Sequence, residues 1–308
     1  MADLVNSDGK RRIEWVGLLF LLAVSAGWGF NWVVMKNLIA EWPPLSSRGL
    51  AGIVGALGLM LAAKVSGESL KVAEGEWPRL LLAAFLNVTG WMGVGGLALL
   101  WLSAGESVIV AYTMPAWAAL FAWLILGERF TLLRALALIL GIAGVVILFS
   151  GHLFSGREMS FGLTKWLGLA SVLFPAIGFA LGAVLMKRTP ISLPPIASAA
   201  WQIGLGSIPT VIVGFLWEQP QFASLTWVGW LSLLWFAVIT LGACYLFWFA
   251  ALRRLPAGVA AIGTFLVPVI GVLAGGFVLG EQLTWRELVA LACTAYGILL
   301  AMRAAQKN

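Results

Sequence analysis

The sequence predicts an all-α membrane protein with ten transmembrane helices, arranged as two inverted five-helix repeats around a central cavity. Three observations support this fold class. Of the 308 residues, 61% are apolar and only 10% are charged, whereas soluble domains carry about 25% charged residues. Ten long apolar runs are separated by charges, prolines or short polar turns, and the two halves of the chain share residues at a fixed spacing.

Each apolar run is long enough to cross a bilayer core about 30 Å thick, which requires about 20 residues of helix. The first run continues well past the length of a signal-peptide core, so we interpret it as a retained helix. The runs leave no stretch long enough for a soluble domain. They begin near Trp15, Pro44, Arg79, Ala104, Leu132, Lys165, Pro194, Thr226, Pro256 and Trp285.

The basic residues predict the orientation of these helices. With ten spans both termini lie on one side, and the segments on that side hold 14 of the 19 Lys and Arg residues. The opposite side holds only Lys36, Arg48, Arg157, Lys165 and Arg286. The positive-inside rule therefore predicts cytoplasmic N and C termini. Contact of this basic side with anionic lipid explains the net charge of +6 without a nucleic-acid partner.

Internal repetition relates the two halves of the chain. Both halves carry the pattern Pro–x11–Gly-Glu–x2–Thr, once from Pro115 to Thr131 and once from Pro268 to Thr284. A weaker match joins residues 26–36 with residues 177–187, and both segments end in Met-Lys. We therefore assign helices one to five to a first repeat, residues 1–150, and helices six to ten to a second, residues 151–308. Because five is an odd number, the second repeat enters the membrane inverted, an architecture typical of transporters.

A family resemblance rests on three features: Trp28-Gly29-x-Asn31-x4-Lys36 in the first helix, Arg48 early in the second, and both Pro–x11–Gly-Glu elements. With these features the chain resembles the drug/metabolite transporter superfamily, in its ten-helix EamA-type branch. Within that branch it is most similar to the bacterial YddG-type exporters of aromatic and other amino acids. The resemblance implies a bacterial inner membrane and a pathway lined mainly by the first, third and fourth helices of each repeat.

Polar and aromatic residues at the middle of the spans are the candidate substrate site. Trp28 and Asn31 share one face of the first helix, where the Asn31 amide either binds substrate or hydrogen-bonds a neighbouring helix. The mid-span aromatic residues either stack on substrate or serve packing alone. The predicted cavity residues are Trp28, Asn31, Asn87, Trp91, Tyr112, Tyr245, Trp248 and Thr264.

Three prolines are candidate hinges. Pro115 and Pro268 lie near the centres of the fourth and ninth spans, and Pro175 lies near the middle of the sixth. Proline removes a backbone donor and bends a helix, which a membrane tolerates where the break is buried or lines a cavity. The alternative is that these positions serve static helix packing.

Charged residues at the membrane edges form symmetric pairs. Glu128 and Glu281 end the fourth and ninth spans on opposite sides. Each is expected to cap the helix that begins near Thr131 or Thr284, with proton coupling as the alternative. Lys36 and Lys187 are expected to snorkel to the interface.

Enzymatic signatures do not emerge from the sequence. The single histidine, His152, is placed in the loop between the halves, and Cys244 and Cys293 fall inside predicted spans. We find no nucleotide-binding or metal-ligand motif, so we predict no enzyme, no cofactor and no metal site. The expected function is export of amino acids by alternating access. Export of cationic or amphiphilic drugs, and a channel or binding protein, are the alternatives.

Overall fold

A computed structural model describes residues 15–129, 131–154, 159–255 and 257–306. Side chains are described for these residues except within 151–161, 257–264 and 301–306, where only that of Arg303 is. All regular secondary structure in these ranges is helical, and no strand occurs among them. The backbone at His152 belongs to the last turn of a helix rather than to a loop, which corrects the sequence-based placement.

Long helices begin within a few residues of the predicted run starts; only the sixth begins clearly earlier, at Met159 instead of near Lys165. The helices are α1 (Trp15–Glu41), α2 (Pro44–Val65), α3 (Trp77–Leu100), α4 (Ala104–Leu126), α5 (Leu132–Phe154), α6 (Met159–Arg188), α7 (Pro195–Trp217), α8 (Trp227–Arg254), α9 (Ala257–Leu279) and α10 (Trp285–Gln306). Among the described residues, eight helices, α1 to α8, are long and apolar enough to cross a membrane. Large apolar side chains such as Leu61, Leu216 and Phe277 are exposed, as expected where a membrane protein faces lipid.

The repeated Gly-Glu motif produces the same helix ending in both halves. Gly127 follows α4 with φ at +68°, and Gly280 follows α9 with φ at +67°. Glycine adopts this left-handed conformation without steric cost, which ends the helix. The backbone N–H of Glu128 then donates to Ala122 at 3.3 Å, and that of Glu281 donates to Gly275 at 3.2 Å.

Helix irregularities mark corresponding positions in the two halves. Both α3 and α8 contain a π-helical segment, Phe85–Val94 and Trp235–Ala243 respectively. In contrast, α4 is broken at Tyr112–Thr113, just before Pro115, whereas α9 is continuous through Pro268. The two halves therefore differ in conformation around their matching prolines.

The most extensive helix contacts join one half of the chain to the other. They connect α2 to α7, α3 to α6, α1 to α8, α5 to α10 and α1 to α9. Between α2 and α7 the backbones touch: an added Cβ at Gly49 would lie 2.5 Å from the Val211 nitrogen, and one at Gly214 would lie 2.5 Å from the Ser46 nitrogen. Small residues of this kind allow close helix approach in membranes.

Candidate functional site

A cavity of about 730 Å³ lies between helices of both halves. Its wall includes seven of the predicted site residues, from α1, α3, α4 and α8, namely Trp28, Asn31, Asn87, Trp91, Tyr112, Tyr245 and Trp248. The eighth, Thr264, lies outside the described side chains. Residues of α2, α6 and α7 complete the wall. The family resemblance implied α6, the first helix of the second repeat, whereas α2 and α7 were not anticipated.

One aromatic cluster in this wall is built around Trp28. Its indole N–H donates to the Thr240 carbonyl on α8 at 3.2 Å. Its ring meets Tyr245 edge-on, with centroids 5.8 Å apart, and lies at the same distance from Trp248. The predicted aromatic residues of α1 and α8 therefore form one continuous surface across the two halves.

A second aromatic cluster lies on the side of α3 and α6. Trp91 packs edge-on against Trp32 at a centroid distance of 6.2 Å and is tilted against Phe179 at 5.9 Å. All three residues line the cavity. Trp91 was predicted to line the cavity and Trp32 was not, although Trp32 follows Trp28 by one helical turn.

The Asn31 side chain joins two helices and also lines the cavity. Its Oδ1 accepts a hydrogen bond from the Thr240 hydroxyl at 2.9 Å, which links α1 to α8. Its Nδ2 makes no hydrogen bond with any residue that the structure describes, and the side chain is part of the cavity wall. An amide donor is therefore left for a ligand.

A polar chain crosses from α3 to α7. The Asn87 amide nitrogen donates to Gln202 Oε1 at 2.9 Å, and Gln202 Nε2 donates to the Ser198 hydroxyl at 3.0 Å. All three residues line the cavity. Sequence reasoning missed Gln202 and Ser198. The available signal was an amide within an otherwise apolar span, because such groups need a partner at membrane depth.

Arg48 lies in the cavity wall and not in an outer segment as the sequence analysis assumed. Its side chain is buried, its Nε donates to the Met92 carbonyl at 2.7 Å, and its Cζ lies 5.2 Å from the Phe236 ring centroid. Of the predicted hinges, Pro115 lines the cavity, whereas Pro175 and Pro268 are buried and lie outside the wall.

Charged side chains join the helix ends remote from Trp15, where α1 ends and α4 begins, and neither Lys36 nor Glu281 lines the cavity. Lys36 Nζ donates to the Leu99 and Leu102 carbonyls at 2.5 Å and 2.8 Å. The Glu281 carboxylate accepts from the backbone nitrogens of Ala104 and Gly105 at 2.7 Å and 3.1 Å. These contacts hold the turn between α3 and α4 in place.

Two expectations about these charges were therefore wrong. Lys36 does not snorkel, because the carbonyls at the end of α3 lie within its reach. Glu281 does cap a helix, but that helix is α4 in the other half rather than the one that follows it. At the start of the helix after Thr284, the Glu287 carboxylate accepts a hydrogen bond from the Thr284 backbone nitrogen at 2.8 Å.

Glu128 sits at the opposite end of the molecule in a different setting. It forms ion pairs with Arg134 and with Lys187, the latter at 2.7 Å, instead of capping the helix after Thr131. The hydrogen bond from Lys187 lowers the pKa of Glu128 against the opposing effect of partial burial, and Arg134 acts in the same direction. A carboxyl held in its charged form at neutral pH is poorly suited to proton coupling.

At this same end, on the side of Trp15, the cavity reaches the connector between α6 and α7. Pro190, Ile191 and Leu193 of that connector form part of the wall. The cavity wall therefore extends from the middle of the helices to this end of the molecule. Within the described part of the chain, no group of His, Cys, Asp and Glu side chains is arranged to hold a metal ion.

Comparison with known proteins supports this reading of the fold. The chain is 32% identical to the uncharacterized transporter YvbV of Bacillus subtilis (strain 168), over 89% of this chain and 87% of that protein. It is 25% identical to the uncharacterized inner membrane transporter YedA of Escherichia coli (strain K12), over 92% of this chain and 89% of that protein. A solved crystal structure shares the fold, with a TM-score of 0.68 at 19% identity over 96% of this chain and 98% of that one. Because the EamA-like transporter family matches residues 15–150 and residues 166–303, this protein belongs to that family.

Proposed function

We propose that this transporter exports amino acids, chiefly aromatic and other apolar ones, or similar small metabolites, by alternating access. The supporting observation is the cavity of about 730 Å³, whose wall is formed by helices of both halves and reaches the connector between α6 and α7. Its wall combines indole and phenol rings with amide groups, a lining that suits a small amphiphile with an apolar side chain. A YddG-type substrate range fits this lining.

The proposal includes two inverted repeats, residues 1–150 and 151–308. Two matching features support it: the Gly127 and Gly280 helix endings, and the π-helical segments of α3 and α8. In this arrangement the halves exchange roles between two access states, and the cavity opens alternately to each side.

The proposed location is the bacterial inner membrane, with both termini in the cytoplasm. The excess of basic residues on the terminal side supports this orientation. In this orientation the end of the cavity at the connector between α6 and α7 lies on the cytoplasmic side. Single cysteines at Lys71 and Gln221 check the orientation in intact cells. We expect an impermeant maleimide to label position 221 only, and labelling of position 71 from outside would reverse the assignment.

Cationic drugs are less suited to the cavity. None of its described lining residues carries a carboxylate, the group that would balance the charge of a cation at membrane depth. Among the alternatives from the sequence, this observation favours amino acids.

Transport by purified protein in proteoliposomes tests the proposal. We expect saturable uptake of radiolabelled phenylalanine or tryptophan, accelerated when the vesicles are preloaded with the same unlabelled amino acid. Such counterflow requires a carrier, because a channel gives no acceleration by substrate on the opposite side. Empty liposomes are the control. Uptake of none of the amino acids in a full panel would reject the proposed substrate class.

A further inference from the structure

Arg48 is the one charged side chain among the described residues that line the cavity. The residue is 6% exposed. Its Nε donates to the Met92 carbonyl, and its guanidinium lies over the Phe236 ring. Within the described ranges, no carboxylate forms an ion pair with it, and neither terminal nitrogen has a hydrogen-bond partner.

An arrangement of this kind is costly without a ligand. Removing a charge from water is unfavourable unless an opposite charge or several hydrogen bonds replace the water. The guanidinium contacts one carbonyl and one aromatic ring, and the N–H donors of both terminal nitrogens remain available to a ligand in the cavity. The planar fork of a guanidinium matches a carboxylate through two parallel hydrogen bonds.

The surrounding residues hold the guanidinium in a defined position. Gly96 on α3 provides the room: a Cβ added there would lie 2.5 Å from Arg48 Cδ and 2.8 Å from its Nε. Phe236, under the guanidinium, and Thr240, which bonds Asn31, are four residues apart on α8. The charged group and the Asn31 side chain therefore both contact the π-helical segment of α8, and both line the cavity.

We infer that Arg48 binds the carboxylate of the transported molecule and thereby selects small amphiphiles that carry a carboxylate over those that carry only a positive charge. This inference rests on the proposed function, because it takes the cavity to be the substrate site. It also gives the substrate a polarity: the carboxylate lies between α2 and α8, and the apolar side chain lies toward the aromatic clusters.

Four related probes differ in which charged groups of an aromatic amino acid they carry. They are phenylalanine, phenylalaninamide, 3-phenylpropionate and phenethylamine, each titrated calorimetrically into the purified protein in detergent. We expect the two carboxylates to bind at least about tenfold more tightly than the two cations, since a desolvated charge pair commonly exceeds the 1.4 kcal/mol that corresponds to tenfold. In the Arg48→Gln variant, the affinity for the two carboxylate probes should fall by about tenfold or more, and the affinity for the two cations should not fall.

Two further variants make the comparison specific. Gly96→Ala keeps the charge but displaces it, so it should lose the same preference for carboxylates even if Arg48→Gln folds poorly. Arg79→Gln removes an exposed arginine at the start of α3, outside the cavity wall, and should bind all probes like the wild type.

The outcomes distinguish this inference from the proposed function. If 3-phenylpropionate binds through Arg48 but phenylalanine is neither bound nor transported, amino acid export fails and carboxylate recognition stands. If phenethylamine binds as tightly as 3-phenylpropionate, or if Arg48→Gln weakens all four probes equally, carboxylate recognition is rejected whatever the transport assay shows. Binding of none of the probes rejects both.

Discussion

Transport by the Asn31→Leu variant is expected to fall at least about tenfold, while its melting temperature in detergent stays near that of the wild type. Leucine has a similar volume but cannot donate or accept a hydrogen bond. A hydrogen bond to a charged group contributes roughly 1.5–3 kcal/mol, and 1.4 kcal/mol corresponds to about tenfold. Folding should suffer less, because hydrogen bonds between membrane helices contribute only about 0.6 kcal/mol on average.

The partner of Asn31 supplies a matched control. Thr240→Val removes the same interhelical hydrogen bond but leaves the Asn31 amide in the cavity wall. We expect Thr240→Val to retain most of its transport activity. Its melting temperature should be close to that of Asn31→Leu. Asn31→Gln should also transport poorly, because the amide is displaced by one methylene. Equal loss of transport in Asn31→Leu and Thr240→Val, accompanied by early melting, would assign Asn31 to helix packing.

Alanine at the two matching prolines should shift the access equilibrium in opposite directions. In the present conformation α4 is broken just before Pro115, whereas α9 is continuous through Pro268. Removing proline restores a backbone donor, whose hydrogen bond contributes about 0.5–1.5 kcal/mol net, and favours the straight helix. Pro115→Ala should therefore disfavour this conformation, and Pro268→Ala should favour it, each by up to about tenfold.

Modification of a cavity cysteine measures this shift. Ala183 lines the cavity and is exposed, so Ala183→Cys in a protein with both native cysteines replaced reports access from the terminal side. Pro115→Ala should slow its modification and Pro268→Ala should not. If Pro175 is also a hinge, Pro175→Ala should resemble Pro268→Ala, because α6 is likewise continuous.

Pro209 is the control, since it lies inside α7, is exposed and is absent from the cavity wall. Pro209→Ala should leave the modification rate unchanged. Unaltered rates and full transport in both Pro115→Ala and Pro268→Ala would leave these prolines as packing residues.

The sequence predicted the helix positions well because the signals are local. Pro44 marks the start of one helix and Gly127 marks the end of another, whatever packs against those helices. The wall residues on α1 could be predicted for the same reason, since helical spacing alone places Trp28 and Asn31 on one face. Seven of the eight proposed site residues indeed lie in the cavity wall.

Features that depend on which helices meet were not predictable in this way. Glu281 caps α4 rather than the next helix, and Asn87 bonds Gln202 across a separation of 115 residues. Arg48 was counted with the outer segments, because its sequence neighbours do not show that Gly96 leaves room for it inside. The π-helical segments likewise arise within ordinary apolar runs, where composition does not distinguish them from regular helix.

The interlocking of the two halves has a consequence for how the protein is made. The face of α2 that touches the backbone of α7 finds its main partner in the second half, and about 150 residues separate the ends of these two helices. At a synthesis rate of roughly 5–20 residues per second, α7 is made on the order of ten seconds or more after α2. Until then the small-residue face of α2 lacks this partner in the bilayer. During that interval the nascent chain is vulnerable to wrong helix pairing and to membrane proteases, and coexpressed halves must find each other before either can complete its packing.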